Sequence, residues 1–287
     1  MAYMTPSKPK LTQRIVLALG FTLIGGLILI VFSPLRPLLE PVPDYLGRIG
    51  LTAALLVAAL LLRQYEPAKR YWPVVYGLFV LAATVSLDWV FANYVIQNLG
   101  VHGNTPTGFA LLKLNECVVV VAAVILFTHL SGDSLGSIYI QKGRLKLGLT
   151  IGLVAFLLAA AGSLPMSSLF KADSLSLERI ISWLPWLFIF VLANATQEEL
   201  LFRGLFLRKL EPFFGKLLSN LLIAITFTLL HKGVTYTSSE IIFLAVLFPL
   251  ALAWGYIMQK TNSIWGSILF HAGMDIPIML GIFANLS

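Results

Sequence analysis

The sequence predicts an all-α, polytopic transmembrane helical bundle of about eight or nine spans, with candidate interfacial amphipathic helices. Three observations carry that prediction. Of 287 residues, 58% are hydrophobic and 11% charged, whereas soluble domains are about one-quarter charged. The apolar residues gather into runs near the roughly 20 residues that one bilayer crossing needs. Proline- and glycine-rich stretches such as "SPLRPLLEPVPDYLG" and "VHGNTPTG" separate the runs, as turn chemistry requires.

In order, the apolar runs place nine spans at about 14–33, 47–63, 72–93, 110–130, 147–164, 183–204, 217–232, 239–258 and 264–284. The first follows a basic tail but is longer than a signal-peptide core and has no small-residue cleavage site, which predicts a retained helix. Two stretches suit the membrane surface better than its interior. "SIYIQKGRLKLG" (137–148) mixes apolar and cationic residues, and "SSLFKADSLSLERIISWLPW" (167–186) has an amphipathic pattern. The chain divides into N-terminal transmembrane helices, 1–146, whose role the sequence does not reveal, and a C-terminal transmembrane core, 147–287, that carries the polar motifs. The two form one continuous bundle, with no linker to a soluble domain.

Charge sets orientation. With the N-terminus in the cytoplasm, the tail (Lys8, Lys10, Arg14) and the even-numbered loops hold 14 Lys and Arg residues against six outside (Arg36, Arg48, Lys113, Lys171, Arg179, Lys232). Positive residues favour the cytoplasmic side. The net charge of +7 therefore reads as topology, and no nucleic-acid partner is expected. Cys117 is the single cysteine, so an intramolecular disulfide, a thiolate cluster and a redox pair are all excluded. Without a targeting peptide or disulfides, a bacterial plasma membrane is the expected location. The sequence is silent on oligomeric state.

Ionisable groups inside apolar helices are costly and mark function. "ATQEELLFRG" places Glu198, Glu199 and Arg203 late in the sixth span. Glu199 and Arg203 are four apart with the acid first, the favourable order for a helical ion pair. Glu198 is rotated about 100° from Glu199 and is left to face a cavity as a general base near His231. "FTLLH" puts Phe227 one turn before His231, where it packs beneath the imidazole. "HAGMD" puts His271 and Asp275 on one helix face. Asn194, in "NAT", matches a glycosylation acceptor but lies within a span, which argues against that use.

Depth imposes a condition on these residues. Glu198 lies ~8 Å and His271 ~10 Å from the cytoplasmic ends of their predicted helices, while His231 lies ~21 Å along its own. The three meet only if the seventh helix starts in the cytoplasm or tilts strongly, and the charged, aromatic "RKLEPFFGK" suits a protruding start. Asp88 in "SLDWVF" and Glu116 in "LNECVV" also sit in or near spans, and they are what a proton-coupled transporter would show.

"EELLFR" (198–203), "FTLLH" (227–231) and "HAGMD" (271–275) resemble, in order and spacing, the EExxxR, FxxxH and HxxxN/D motifs of the CPBP (Abi) intramembrane proteases. These are relatives of the type II CAAX prenyl endopeptidases. The resemblance covers roughly residues 180–285. It implies hydrolysis of a peptide bond in a membrane-associated peptide or protein substrate, at a site in a cavity that opens to the lipid bilayer and the cytosol. Glu198 and His231 would activate water, and His271 and Asp275 would stabilise the oxyanion, with Glu199, Arg203 and Phe227 in support. Asp275 departs from the Asn of the prenyl endopeptidases. An ionised Asp accepts hydrogen bonds and cannot donate one to an oxyanion, so either Asp275 is protonated, or it orients His271, or a metal is involved. No cofactor is expected. Zinc is the alternative, with Glu198, His231, His271 and Asp275 as its candidate ligands. The rival readings are a proton-coupled transporter and a catalytically inert membrane scaffold.

Overall fold

The computed structural model describes residues 9–32, 38–172 and 175–286. Lys8 and Arg36 of the charge count, and Asp173 and Ser174 of the second amphipathic stretch, lie outside these. The described residues form α-helices and no strand. α1 is Leu11–Gly26, continued by a wide π-helical turn, Leu27–Val31. α2 is Pro41–Gln64, α3 Trp72–Leu99, α4 Pro106–Leu130 and α5 Leu145–Ser167. α6 is Leu177–Glu198, α7 Leu205–Leu230, α8 Glu240–Thr261 and α9 Trp265–Ala284.

Local chemistry sets these limits. Pro41, Pro73 and Pro106 occupy first turns, where the missing N–H is not needed. Thr105 and Ser176 cap α4 and α6 by accepting from Gly108 N (3.1 Å) and Arg179 N (3.3 Å). α2 therefore begins inside the proline-rich stretch whose turn chemistry predicts a loop. The 137–148 stretch is not an amphipathic helix. It is a short 3₁₀ turn, Leu135–Ile138, then irregular chain before α5. That chain clasps the α8–α9 turn, through Arg144 N to Thr261 O (2.6 Å) and Ile264 N to Tyr139 O (3.1 Å). The Tyr139 hydroxyl reaches Glu211 at 3.3 Å. Burial, and then the Glu211 charge, push its phenol above its ordinary value, so it stays a neutral donor.

Among the described residues eight helical runs are long and apolar enough to cross a membrane, and the protein is an integral, multi-pass membrane protein. The sixth and seventh predicted spans fall within one run, Leu177–Leu230, which is helical throughout apart from one residue. No loop separates positions 204 and 217. The helix widens into a π-turn at Glu199–Gly204 and continues to Phe214. Gly215 then breaks it with φ 74°, a backbone region that glycine enters without a Cβ penalty. The chain doubles back there. Phe202 and Phe227, nearly equidistant from Gly215 in sequence, touch with ring centroids 4.9 Å apart.

The bundle pairs its ends consistently. Arg14 donates to Phe214 O, and Gln259 to Glu211 and Lys216 O, at one end. Lys171 donates to Thr235 O, and Asn285 to Lys171 O, at the other. α5 and α9 pack backbone to backbone: a Cβ on Gly266 would stand 2.4 Å from Gly148 O, and one on Gly152 2.5 Å from Gly266 O. This close approach fixes α9, which carries His271 and Asp275. Three cations counted as outside-loop charges lie within helices instead, Arg179 in α6 among them. Arg48 is buried in α2 and paired with Asp44 at 2.7 Å, and Lys113 is in α4.

Candidate functional site

The end of α6, the π-turn, α8 and α9 converge on one imidazole. His271 is buried, and its Nδ1 lies 2.9 Å from Glu199 Oε1. Its Nε2 lies 3.5 Å from Glu198 Oε2 and 3.6 Å from Asp275 Oδ1. The two adjacent glutamates thus address opposite sides of the same ring. The π-turn begins at Glu199, and such widened turns recur at functional sites.

Glu199 is fully buried and saturated. It accepts from Arg203 Nη1 at 2.7 Å and from Ser267 Oγ at 2.5 Å, besides His271. Arg203, also 0% exposed, donates to Ala251 O at 3.3 Å and lies 4.6 Å and 5.1 Å from the rings of Phe227 and Trp254. A buried charge is tolerable only with such pairing. With Glu199 as acceptor, His271 Nδ1 carries the proton and donates it. Nε2 is then the nitrogen presented to Glu198 and Asp275. Trp254 stacks flat on the imidazole at 3.9 Å and 9°.

Glu198 differs from its neighbour. Its side chain is 21% exposed, and it is the accessible carboxylate of the pair. Asp275 accepts from Asn194 Nδ2 at 3.0 Å through Oδ2, so both of its oxygens face named partners. His231 stands apart. Among the described residues no hydrogen bond or ion pair joins it to Glu198. Its Nδ1 lies 2.8 Å from Phe227 O, and a carbonyl can only accept, so Nδ1–H donates and Nε2 is left open. The Phe227 ring links the two histidines, 4.6 Å from His231 and 6.0 Å from His271. Phe227 therefore does more than pack beneath its own histidine.

The helix continues to Phe214 rather than ending near residue 204, which gives the seventh span a protruding start, although no contact joins His231 to Glu198 among the described residues. His231 lies one turn beyond Phe227, toward the far end of α7. Among the described residues no three His, Cys, Asp or Glu side chains are grouped to hold a metal ion. The sequence singles out Asn194 only as a glycosylation acceptor, and nothing there points to Trp254, Ala251 or Ser267 as site residues. Asn194 lies four residues before Glu198, and Ser267 four before His271, so helical spacing could have drawn attention to both. Nothing in the sequence marks Trp254 or the Ala251 carbonyl.

Residues 180–277 match the family model described as Type II CAAX prenyl endopeptidase Rce1-like. The matched segment runs from α6 into α9 and contains every candidate residue named above. It is consistent with the CPBP resemblance of the three motifs. The match supports a membrane protease, a peptide hydrolase in general. No curated protein and no solved structure matches the chain.

Proposed function

We propose that the protein is an intramembrane endopeptidase that hydrolyses a peptide bond in a membrane-associated peptide or protein. One observation carries this reading most: a histidine oriented by a locked carboxylate, Glu199, presents its other nitrogen to an accessible carboxylate, Glu198. An acid or base held by a third group is the arrangement that hydrolytic sites use.

In this mechanism Glu198 takes a proton from water as the oxygen attacks the scissile carbonyl. His231, with Nδ1–H committed to Phe227 O and Nε2 open, serves as the second group that activates the water. The tetrahedral intermediate carries an oxyanion, which needs donors already in place. His271, once protonated on Nε2, supplies one. Asp275 accepts from Asn194 and orients His271, so the oxyanion role falls on His271. Glu198 then returns its proton to the leaving amine, and the acid and amine products separate. Glu199 and Arg203 hold this geometry without entering the chemistry. No metal is required in this scheme. The N-terminus faces the cytoplasm by the excess of Lys and Arg on that side, and the membrane is a bacterial plasma membrane.

The test is peptide-library cleavage by detergent-purified wild type and Glu198→Gln, read by mass spectrometry with and without chelator. Cleavage by the wild type alone, undiminished by chelator, is the expected result. Equal cleavage by both proteins would remove Glu198 from the mechanism, and loss with chelator would replace the metal-free scheme.

A further inference from the structure

The arm of α7 that follows Gly215, Lys216–Leu230, needs its own means of fixing its rotation. Gly215 adopts φ 74° and breaks the helix, so the helix before it does not dictate which way the arm faces. Asn220, Ala224, Phe227 and His231 follow at i, i+4, i+7 and i+11 and therefore share one face of the arm. Ala224 and Phe227 are fully buried there. His231 ends the stripe, about 16 Å beyond Asn220.

The base of the stripe is pegged to α8. Asn220 is 5% exposed, and its Nδ2 donates to Leu252 O at 2.9 Å. α8 is notched to receive it: a Cβ on Gly255 would run into the Asn220 amide. Neighbouring carbonyls of the same turn meet two other elements. Ala251 O accepts from Arg203 at 3.3 Å, and Trp254 O lies 3.1 Å from Ser267 Oγ. One turn of α8 thus registers the π-turn, the α7 arm and α9 around the indole that stacks on His271. Asn220 is a poor choice for stability alone. Its Oδ1 is buried without a hydrogen-bond partner among the described residues, which costs free energy, and an apolar side chain of similar volume would avoid that cost. What the amide supplies is direction.

We propose that Asn220 is a positioning residue: its amide, donated to Leu252 O, sets the rotation and register of the arm after Gly215, and with them the place at which His231 meets the site. A slip of one position would turn His231 by about 100° and move it ~1.5 Å along the axis. The kinetic consequence rests on the peptidase reading; the placement of His231 does not.

Two measurements on the full-length protein in detergent test this. The first needs no substrate: NMR of the histidine-labelled wild type and Asn220→Leu, with ring signals assigned by their loss in His231→Ala and His271→Ala. In Asn220→Leu the His231 signal should shift, while that of His271, held by Glu199 and Trp254, stays in place. An unmoved His231 signal in the folded variant, or equal shifts at every histidine, would overturn the proposal. Should Asn220→Leu fail to fold, Asn220→Ala, which removes the amide and adds no bulk, takes its place. The second measurement is cleavage by Asn220→Leu, His231→Ala and the double variant. Asn220→Leu alone should lower kcat about tenfold with KM nearly unchanged, but by less than about twofold in the His231→Ala background, because residues that act as a unit are not additive. Equal fold losses in both backgrounds would overturn action through His231. If wild type and Glu198→Gln treat the library alike, the peptidase reading falls, and the His231 signal alone decides the role of Asn220.

Discussion

Trp254 lies flat on His271, with ring centroids 3.9 Å apart and planes 9° from parallel. The Arg203 guanidinium lies 5.1 Å from the same indole. Through Trp254, α8 fixes the plane of the imidazole while contributing no titratable group. Trp254→Phe keeps a flat apolar surface and should retain most activity. Trp254→Ala opens a cavity in the core and should cost about 3–5 kcal/mol, with cleavage falling further than for Phe. Thermal unfolding and turnover of the two variants check this.

The Glu199–Arg203 pair is fully buried at 2.7 Å. Arg203→Met leaves a carboxylate without its counter-ion and should destabilise the fold by about 3–5 kcal/mol. Glu199→Gln does the reverse and also weakens the hold on His271. The double variant removes both charges together and should be destabilised by clearly less than the sum. Denaturant unfolding of the three proteins measures the difference.

Asn194 and Asp275 form one hydrogen bond across α6 and α9, at 3.0 Å. Asn194→Asp sets two carboxylates face to face and should lower cleavage about tenfold or more, within the usual range for coupled neighbours. Exchanging the two side chains, Asn194→Asp with Asp275→Asn, restores a donor–acceptor pair. It should recover most of the loss in stability, with turnover showing whether the direction of the bond matters.

The α5–α9 contact is set by missing side chains. Gly266→Ala drives a methyl to within 2.4 Å of Gly148 O and should cost about 1–3 kcal/mol, as overpacking does. Gly50→Ala meets nothing within 4 Å and serves as the neutral control. Unfolding midpoints of the two variants settle the comparison.

Hydrophobic run length made the bundle legible, because a bilayer demands about 20 apolar residues wherever a helix crosses it. The i,i+4 rule made the Glu199–Arg203 and His271–Asp275 pairs legible within their own helices. Composition misplaced the chain after Gly204: "LFLRKLEPFF" looks polar enough for a loop, yet its Leu, Arg, Lys and Glu residues are good helix formers. The cross-helix partners were another matter. Ser267 to Glu199, Asn194 to Asp275 and Trp254 to His271 depend on how α6, α8 and α9 rotate against one another, which no single-helix pattern encodes.

Gly215 has a consequence for how the protein is made. The arm it starts, Lys216–Leu230, is about 15 residues and ~22 Å long, short of the ~30 Å hydrocarbon layer. Such a segment is too short to enter the bilayer efficiently by its own hydrophobicity. It must partition together with the longer arm before it, as a preassembled helical hairpin. Biogenesis of the core therefore awaits synthesis past Leu230, and a nascent chain stalled at Gly215 would hold Glu199 and Arg203 in the membrane before Trp254, Ser267 and His271 existed to receive them.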